Sequence, residues 1–154
     1  MPKTLKEIRI KAGETAENAC PEDIDYVLAE RLNLTPSEFE LKQDMVLSDD
    51  QLKQANKDIK KLAKGVSPQY ILGYAWFFGY KIMVQRGVLI PRFETEELVE
   101  WTLKSLKSGD KVLDLGTGSG CITVALAKEA EKKGIKDLTL YASDITDAAL
   151  RTSE

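Results

Sequence analysis

Val112-Leu113-Asp114-Leu115-Gly116-Thr117-Gly118-Ser119-Gly120 decides how this chain is read: four residues that read as a buried strand run into a turn with glycine at every second position. Cys121 to Lys133 then reads as a helix. A strand, a glycine turn and a helix in succession let backbone approach a ligand with no side chain in the way, beside the positive end of a helix. The expected ligand is a nucleotide-like cofactor. A dinucleotide fingerprint would be G-x-G-x-x-G with a diphosphate on the helix N-terminus. The pattern here is G-x-G-x-G behind Asp114. A carboxylate beside the loop suits a ligand end carrying an ammonium or sulfonium charge better than one carrying phosphates, which favours S-adenosylmethionine over NAD. Asp137 to Ser143 reads as a second strand that delivers Asp144 to its tip, the position from which a Rossmann-like unit accepts hydrogen bonds from ribose hydroxyls. The competing account is structural: tight turns also use glycines, and aspartates often cap helices, although Thr146 is better placed to cap the segment that follows.

Composition sets the outer bounds. The 154 residues, 43% apolar, suffice for one ordinary domain or two small ones, and the formal charge of -3 argues against general affinity for nucleic acid or an anionic membrane. No apolar run approaches the length of a membrane span and the first ten residues carry charges in place of a signal-peptide core, so the default location is cytoplasmic. Cys20 and Cys121 lack metal-ligand spacing and are expected to be reduced and packed as small apolar side chains. There is no histidine. That removes His-based triads and the usual zinc sites, leaves no metal site to name, and leaves carboxylates, backbone groups and positioning as catalytic means.

Upstream, Thr4 with Glu7, Thr35 with Glu38 and Ser48 with Gln51 have capping-box spacing, placing helix starts near residues 5, 36 and 49. A further helix is expected from about Pro21 to Leu32, with Ile24, Val27, Leu28 and Leu32 on one face. Leu52, Ala55, Ile59 and Leu62 repeat the pattern before Gly65, a C-terminal stop. Four amphipathic helices make a bundle, whose stripes are a core on the plain reading and whose surface is a docking module on the sharper one. Gly65 to Pro68 is a linker. Tyr70 to Val84, dense in aromatic and β-branched residues, reads as a hairpin reversing at Gly79. Val88 to Glu97 is a short extended piece ended by Pro91, then an acidic helix start. There Arg92 beside the proline-fixed turn is either part of a pocket wall or incidental to helix capping.

Ser67-Pro68-Gln69-Tyr70-Ile71-Leu72-Gly73, Val88-Leu89-Ile90-Pro91-Arg92-Phe93-Glu94-Thr95-Glu96 and Asp114 to Gly120, in that order and spacing, resemble the peptide chain release factor N5-glutamine methyltransferases over the whole chain. The resemblance implies a mixed α+β and α/β fold. Residues 1–66 would be a helical domain that helps to engage the release factor, 67–91 a β-hairpin linker, and 92–154 the first part of a Rossmann-like methyltransferase domain. It implies transfer of a methyl group from S-adenosylmethionine to the side-chain amide of the glutamine in a Gly-Gly-Gln loop, by a monomer without direct contact to nucleic acid or membrane. Gly116, Thr117, Gly118, Ser119, Gly120, Asp144 and Leu89 would hold the cofactor, and Arg92, Glu94 and Thr95 would lie at the substrate pocket. Phe93 stands where the family usually has proline, which loosens the turn. The family's Asn-Pro-Pro-Tyr motif, which orients the glutamine amide, does not occur between Met1 and Glu154. The expectation is therefore a fragment with no catalytic residue to name and no useful turnover alone. Its strand at Val112 to Leu115 would be paired on one side only. A nicotinamide-dependent dehydrogenase fragment and a non-catalytic interaction module are the rival readings.

Overall fold

A computed structural model of the chain describes residues 3–16 and 19–153; the sequence-level boundaries at Met1 and Glu154 lie outside the described residues. The chain is a mixed helix and sheet protein and divides into two compact units, Met1–Leu72 and Gly73–Glu154.

The first unit is helical: α1 (Leu5–Thr15), α2 (Pro21–Leu32), α3 (Pro36–Leu41), α4 (Asp49–Leu62) and α5 (Pro68–Leu72). Its helix starts lie where the local chemistry puts them. Thr4, Thr35 and Ser48 each accept from the N–H three residues on, and Glu7, Glu38 and Gln51 each return to the cap's own N–H. Two orphan donors are thus satisfied at each start. The α4 helix stops at Gly65, whose φ of 73° allows Val66 N–H to reach the Lys61 carbonyl at 3.1 Å. The apolar stripes converge on a core of Leu5, Ile8, Val27, Leu28, Phe39, Ile59 and Leu62. Inside it sits the carboxylate of Asp58, fully buried, accepting from Arg31 Nε at 2.8 Å and Gln54 Nε2 at 2.9 Å.

Two sequence expectations are corrected here. Tyr70, Ile71 and Leu72 belong to α5 and not to the hairpin. Pro68 at the helix start, Gly73 at φ 87°, and the Arg31 Nη2 bond to the Ile71 carbonyl at 2.9 Å hold one helical turn against a strand-like composition. Cys20 is exposed at the start of α2 and is not packed as an apolar side chain, whereas Cys121 is buried.

The second unit begins with a hairpin, β1 (Tyr74–Phe77) and β2 (Tyr80–Met83), antiparallel in the register Ala75↔Ile82. Its two-residue turn, Phe78-Gly79, has φ of 51° and 77°. Phe78 pays the usual cost of a side chain in the left-handed region, and its N–H is held by Glu96 Oε1 at 2.7 Å. A 3₁₀ turn (Phe93–Thr95) leads into α6 (Glu96–Ser105), followed by β3 (Lys111–Leu115), α7 (Cys121–Lys132), β4 (Thr139–Ser143) and α8 (Asp147–Ser153). The β3 and β4 strands pair in parallel, Leu113 opposite Tyr141, with α7 as the crossover.

Phe77 and Ile82 from the hairpin, Val99 and Leu103 from α6, and Cys121, Ala125 and Leu126 from α7 form one cluster on which Val112 and Leu140 also pack. Alternation along the strands turns Leu113, Leu115 and Tyr141 outward, 56%, 76% and 51% exposed. Val112 to Leu115 is therefore half covered and not the buried strand its composition suggests, because among the described residues β4 is its only neighbour and only one face of the pair meets the core.

Candidate cofactor cleft

The glycine loop follows β3 and takes three left-handed steps, Gly116, Gly118 and Gly120 at φ 77°, 57° and 76°. These conformations are nearly free only for glycine. A Cβ at Gly116 or Gly118 would meet nothing within 4 Å, so open space adjoins the backbone there. A Cβ at Gly120 would lie 3.0 Å from Ser153 Cβ; this glycine exists to let α8 close on the loop.

The loop spends most of its N–H groups internally. Gly116 and Thr117 donate to the Ser143 carbonyl at 2.8 and 2.9 Å, Gly118 to Asp144 Oδ2 at 3.0 Å, and Gly120 to the Thr117 carbonyl at 2.9 Å. Ser143 and Asp144 at the end of β4 therefore hold the loop's shape. Asp144 Oδ1 also accepts from the N–H and hydroxyl of Thr146, both at 2.9 Å, while the Thr146 hydroxyl caps α8 by accepting from Ala149 N–H at 3.3 Å. The Thr146 N–H, and after it the Gly118 N–H, hold the Asp144 carboxyl below its ordinary pKa. It stays an anion with lone pairs left to accept.

These elements enclose a cleft of about 610 Å³, within the ordinary range for small-molecule sites. One wall is Gly87, Val88 and Leu89; the floor is Leu115, Gly116 and Gly118; the other wall runs from Ser143 through Asp144, Ile145 and Thr146 to Ala149. An anionic acceptor faces the cleft, and the N–H groups of Gly116, Thr117, Gly118 and Gly120 are already bonded within the fold, so the cleft suits a ligand that offers hydroxyl donors better than one that brings a diphosphate.

Of the residues singled out from sequence, Gly116, Gly118, Asp144 and Leu89 line this cleft. Thr117 and Ser119 are buried and Gly120 backs onto Ser153, so these three shape the loop from behind. Arg92, Glu94 and Thr95 sit in the segment and 3₁₀ turn ahead of α6, outside the cleft lining, with Thr95 N–H on the Arg92 carbonyl at 3.0 Å. Asp114 is also absent from the lining: its Oδ2 accepts from Thr117 Oγ1 at 2.8 Å and Thr123 Oγ1 at 2.9 Å, so it braces the loop to α7. The charge it was expected to turn toward a sulfonium goes into that brace. Sequence reasoning missed Gly87, Val88, Leu115, Ser143, Ile145, Thr146 and Ala149. Only Ile145 carried a signal, an apolar residue directly after the strand-tip acid; it is fully exposed at the cleft.

Comparison with known proteins follows the same division of the chain. Residues 12–73 match the family model of the PrmC N-terminal domain. The release factor glutamine methyltransferase of Flavobacterium psychrophilum is 39% identical over 140 residues, 86% of this chain and 47% of the relative. That of Streptococcus pneumoniae is 40% identical over 148 residues, 95% of this chain and 50% of the relative. That of Aquifex aeolicus is 30% identical over 159 residues, 100% of this chain and 55% of the relative. The chain spans about half the length of these curated relatives. Similarity runs through the helical unit and the glycine loop alike, and the chain belongs to the release factor glutamine methyltransferase family.

Proposed function

We propose that this chain supplies the cofactor-holding half of an S-adenosylmethionine-dependent methyltransferase that acts on the side-chain amide of the glutamine in the Gly-Gly-Gln loop of peptide chain release factors, in the cytoplasm. The observation that carries the reading is the cleft in which the Asp144 carboxylate, at the tip of β4, is hydrogen-bonded to the middle of the glycine loop. In this reading residues 92–154 are the first part of a Rossmann-like domain, residues 67–91 a linker that carries the α5 turn and then the hairpin, and residues 1–66 the helical domain that engages the release factor.

Each part has a chemical task. Asp144 accepts ribose hydroxyls; Leu89 and Ile145, exposed on opposite walls, cover the flat faces of the base. Gly116 and Gly118 leave the space in which the rest of the cofactor lies. Bound there, S-adenosylmethionine supplies an electrophilic methyl group on a sulfonium. An amide nitrogen is a weak nucleophile because its lone pair is delocalised, so rate comes from orientation and from hydrogen bonds that favour the attacking geometry. In this reading Arg92, Glu94 and Thr95, in the segment and 3₁₀ turn ahead of α6, would lie at the substrate pocket. None of the described residues is assigned as a catalytic group.

A nicotinamide-dependent dehydrogenase would need loop N–H groups for a diphosphate, and Gly116, Thr117, Gly118 and Gly120 have theirs bonded internally. Calorimetric titration with S-adenosylmethionine, and in parallel with NAD, tests the choice. Saturable micromolar binding of the former, about -8 kcal/mol, supports it. Binding of NAD alone would sink it.

A further inference from the structure

The two walls of the cleft come from segments some sixty residues apart, and one side chain joins them. Gln85 Nε2 donates to the Ala148 carbonyl at 3.1 Å and to Thr152 Oγ1 at 2.7 Å, and Thr152 Oγ1 itself donates to Ala148 O at 2.6 Å. The same residue opens the turn that forms the first wall: Val88 N–H donates to the Gln85 carbonyl at 3.1 Å, across Gly87 at φ 91°. A Cβ at Gly87 would stand 3.8 Å from Ala148 Cβ, so backbone and helix approach closely just beside the amide. Val88 is buried beneath the turn, 2% exposed, while Gln85 itself is exposed and adds nothing to the apolar core.

We propose that Gln85 is a positioning residue whose side-chain amide ties the Gln85–Val88 turn to α8 and thereby sets the width of the cofactor cleft. The inference rests on the cleft being the cofactor site proposed above. Its chemistry is specific: both partners of Nε2 are oxygens, so the site requires a donor. A glutamate of the same shape offers only acceptors and meets the Ala148 carbonyl with like polarity, whereas a lysine offers a donor again. Because ligand is held between the walls, losing the tie adds an ordering cost to binding and changes affinity more than stability.

The test has two readouts on the full chain. Spin labels at Leu89→Cys and Ile145→Cys, in a Cys20→Ser background, report the distance across the cleft without ligand; titration with S-adenosylmethionine reports affinity in the unlabelled variants. Gln85→Glu is expected to broaden the label distances and raise Kd roughly five- to tenfold, the scale of one lost hydrogen bond. Gln85→Lys should restore both to near the original values, and the thermal midpoint of the free protein should move little in either. Unchanged label distances in Gln85→Glu overturn the inference, as does equal loss in Gln85→Glu and Gln85→Lys, which would mean shape and not donation matters. If the unmodified chain fails to bind S-adenosylmethionine, the cofactor reading falls while the label distances still judge Gln85.

Discussion

The backbone N–H of Gly118 donates to the carboxylate of Asp144 at 3.0 Å, joining the middle of the glycine loop to the tip of the next strand. The acid that would receive the ribose thus also sets the loop on which the cofactor rests. Asp144→Ala removes both functions, and S-adenosylmethionine affinity should fall by about 2 kcal/mol or more, the range for hydrogen bonds to a charged group. Asp147→Ala, three residues on in the first turn of α8 and outside the cleft lining, should leave affinity unchanged. Isothermal titration of the two variants checks this. Equal affinities would show that Asp144 only braces the loop and the Thr146 turn and does not hold the ligand.

Gly116 and Gly120 share a left-handed backbone and should nevertheless fail differently. Alanine at either costs about 1 kcal/mol or more in backbone strain. At Gly120 the new Cβ also meets Ser153 at 3.0 Å, so α8 must shift and the loss should appear in stability. At Gly116 the new Cβ enters the open cleft, so the loss should appear mainly in ligand affinity. Urea unfolding and ligand titration on both variants separate the two effects. A Gly116→Ala chain that binds as tightly as the parent would place the ligand elsewhere.

What could be read in advance was local. The capping boxes at Thr4, Thr35 and Ser48 put helix starts within a residue of their true places because a cap and its partner lie three residues apart. The strand, loop and α7 around Gly116 to Gly120 were legible for the same reason. The composition of Tyr70 to Leu72 favours a strand, while its helical turn is held by Arg31, some forty residues earlier. The sequence does not say which way a side chain at a strand end turns, and Thr117 and Thr123 turn Asp114 to α7 and away from the ligand. Gln85 and the walls at Gly87 and Ala149 depend on α8 folding back against the turn, which no local pattern encodes.

Asp58 makes the helical unit sensitive to a single charge. Its carboxylate is fully buried and takes its bonds from Arg31, whose side chain is 31% exposed, and from Gln54. Asp58→Ala leaves both donors facing a space their partner has vacated. Breaking a buried pair costs about 3 kcal/mol, the lower end of the usual range being apt because the guanidinium still reaches solvent. Replacing Asp58 by Leu and Arg31 by Met together should restore part of that loss, since no charge is then stranded. Urea midpoints of the single and double variants test the coupling. Additive losses would show that the pair does not act as a unit.

Glu38 should make the same unit acid-sensitive in a defined window. Lys42 Nζ donates to Glu38 Oε1 at 2.9 Å and the Thr35 N–H to Oε2 at 3.0 Å, and these contacts, Lys42 first, lower its pKa from 4.5 to about 2. Because the folded value lies below the unfolded one, the folded chain binds fewer protons at intermediate pH. The stabilisation is complete above about pH 4.5 and is lost as pH falls toward about 2. Glu38→Gln keeps an oxygen for the Thr35 N–H and cannot titrate, so the difference between parent and variant isolates the charge. Urea midpoints followed by circular dichroism should show the parent more stable at pH 7. That gap should narrow from pH 4.5 downward and close near pH 2, and added salt should shrink it at neutral pH, since the pair is exposed. A gap independent of pH would mean that Glu38 acts through its shape at the cap and not through its charge.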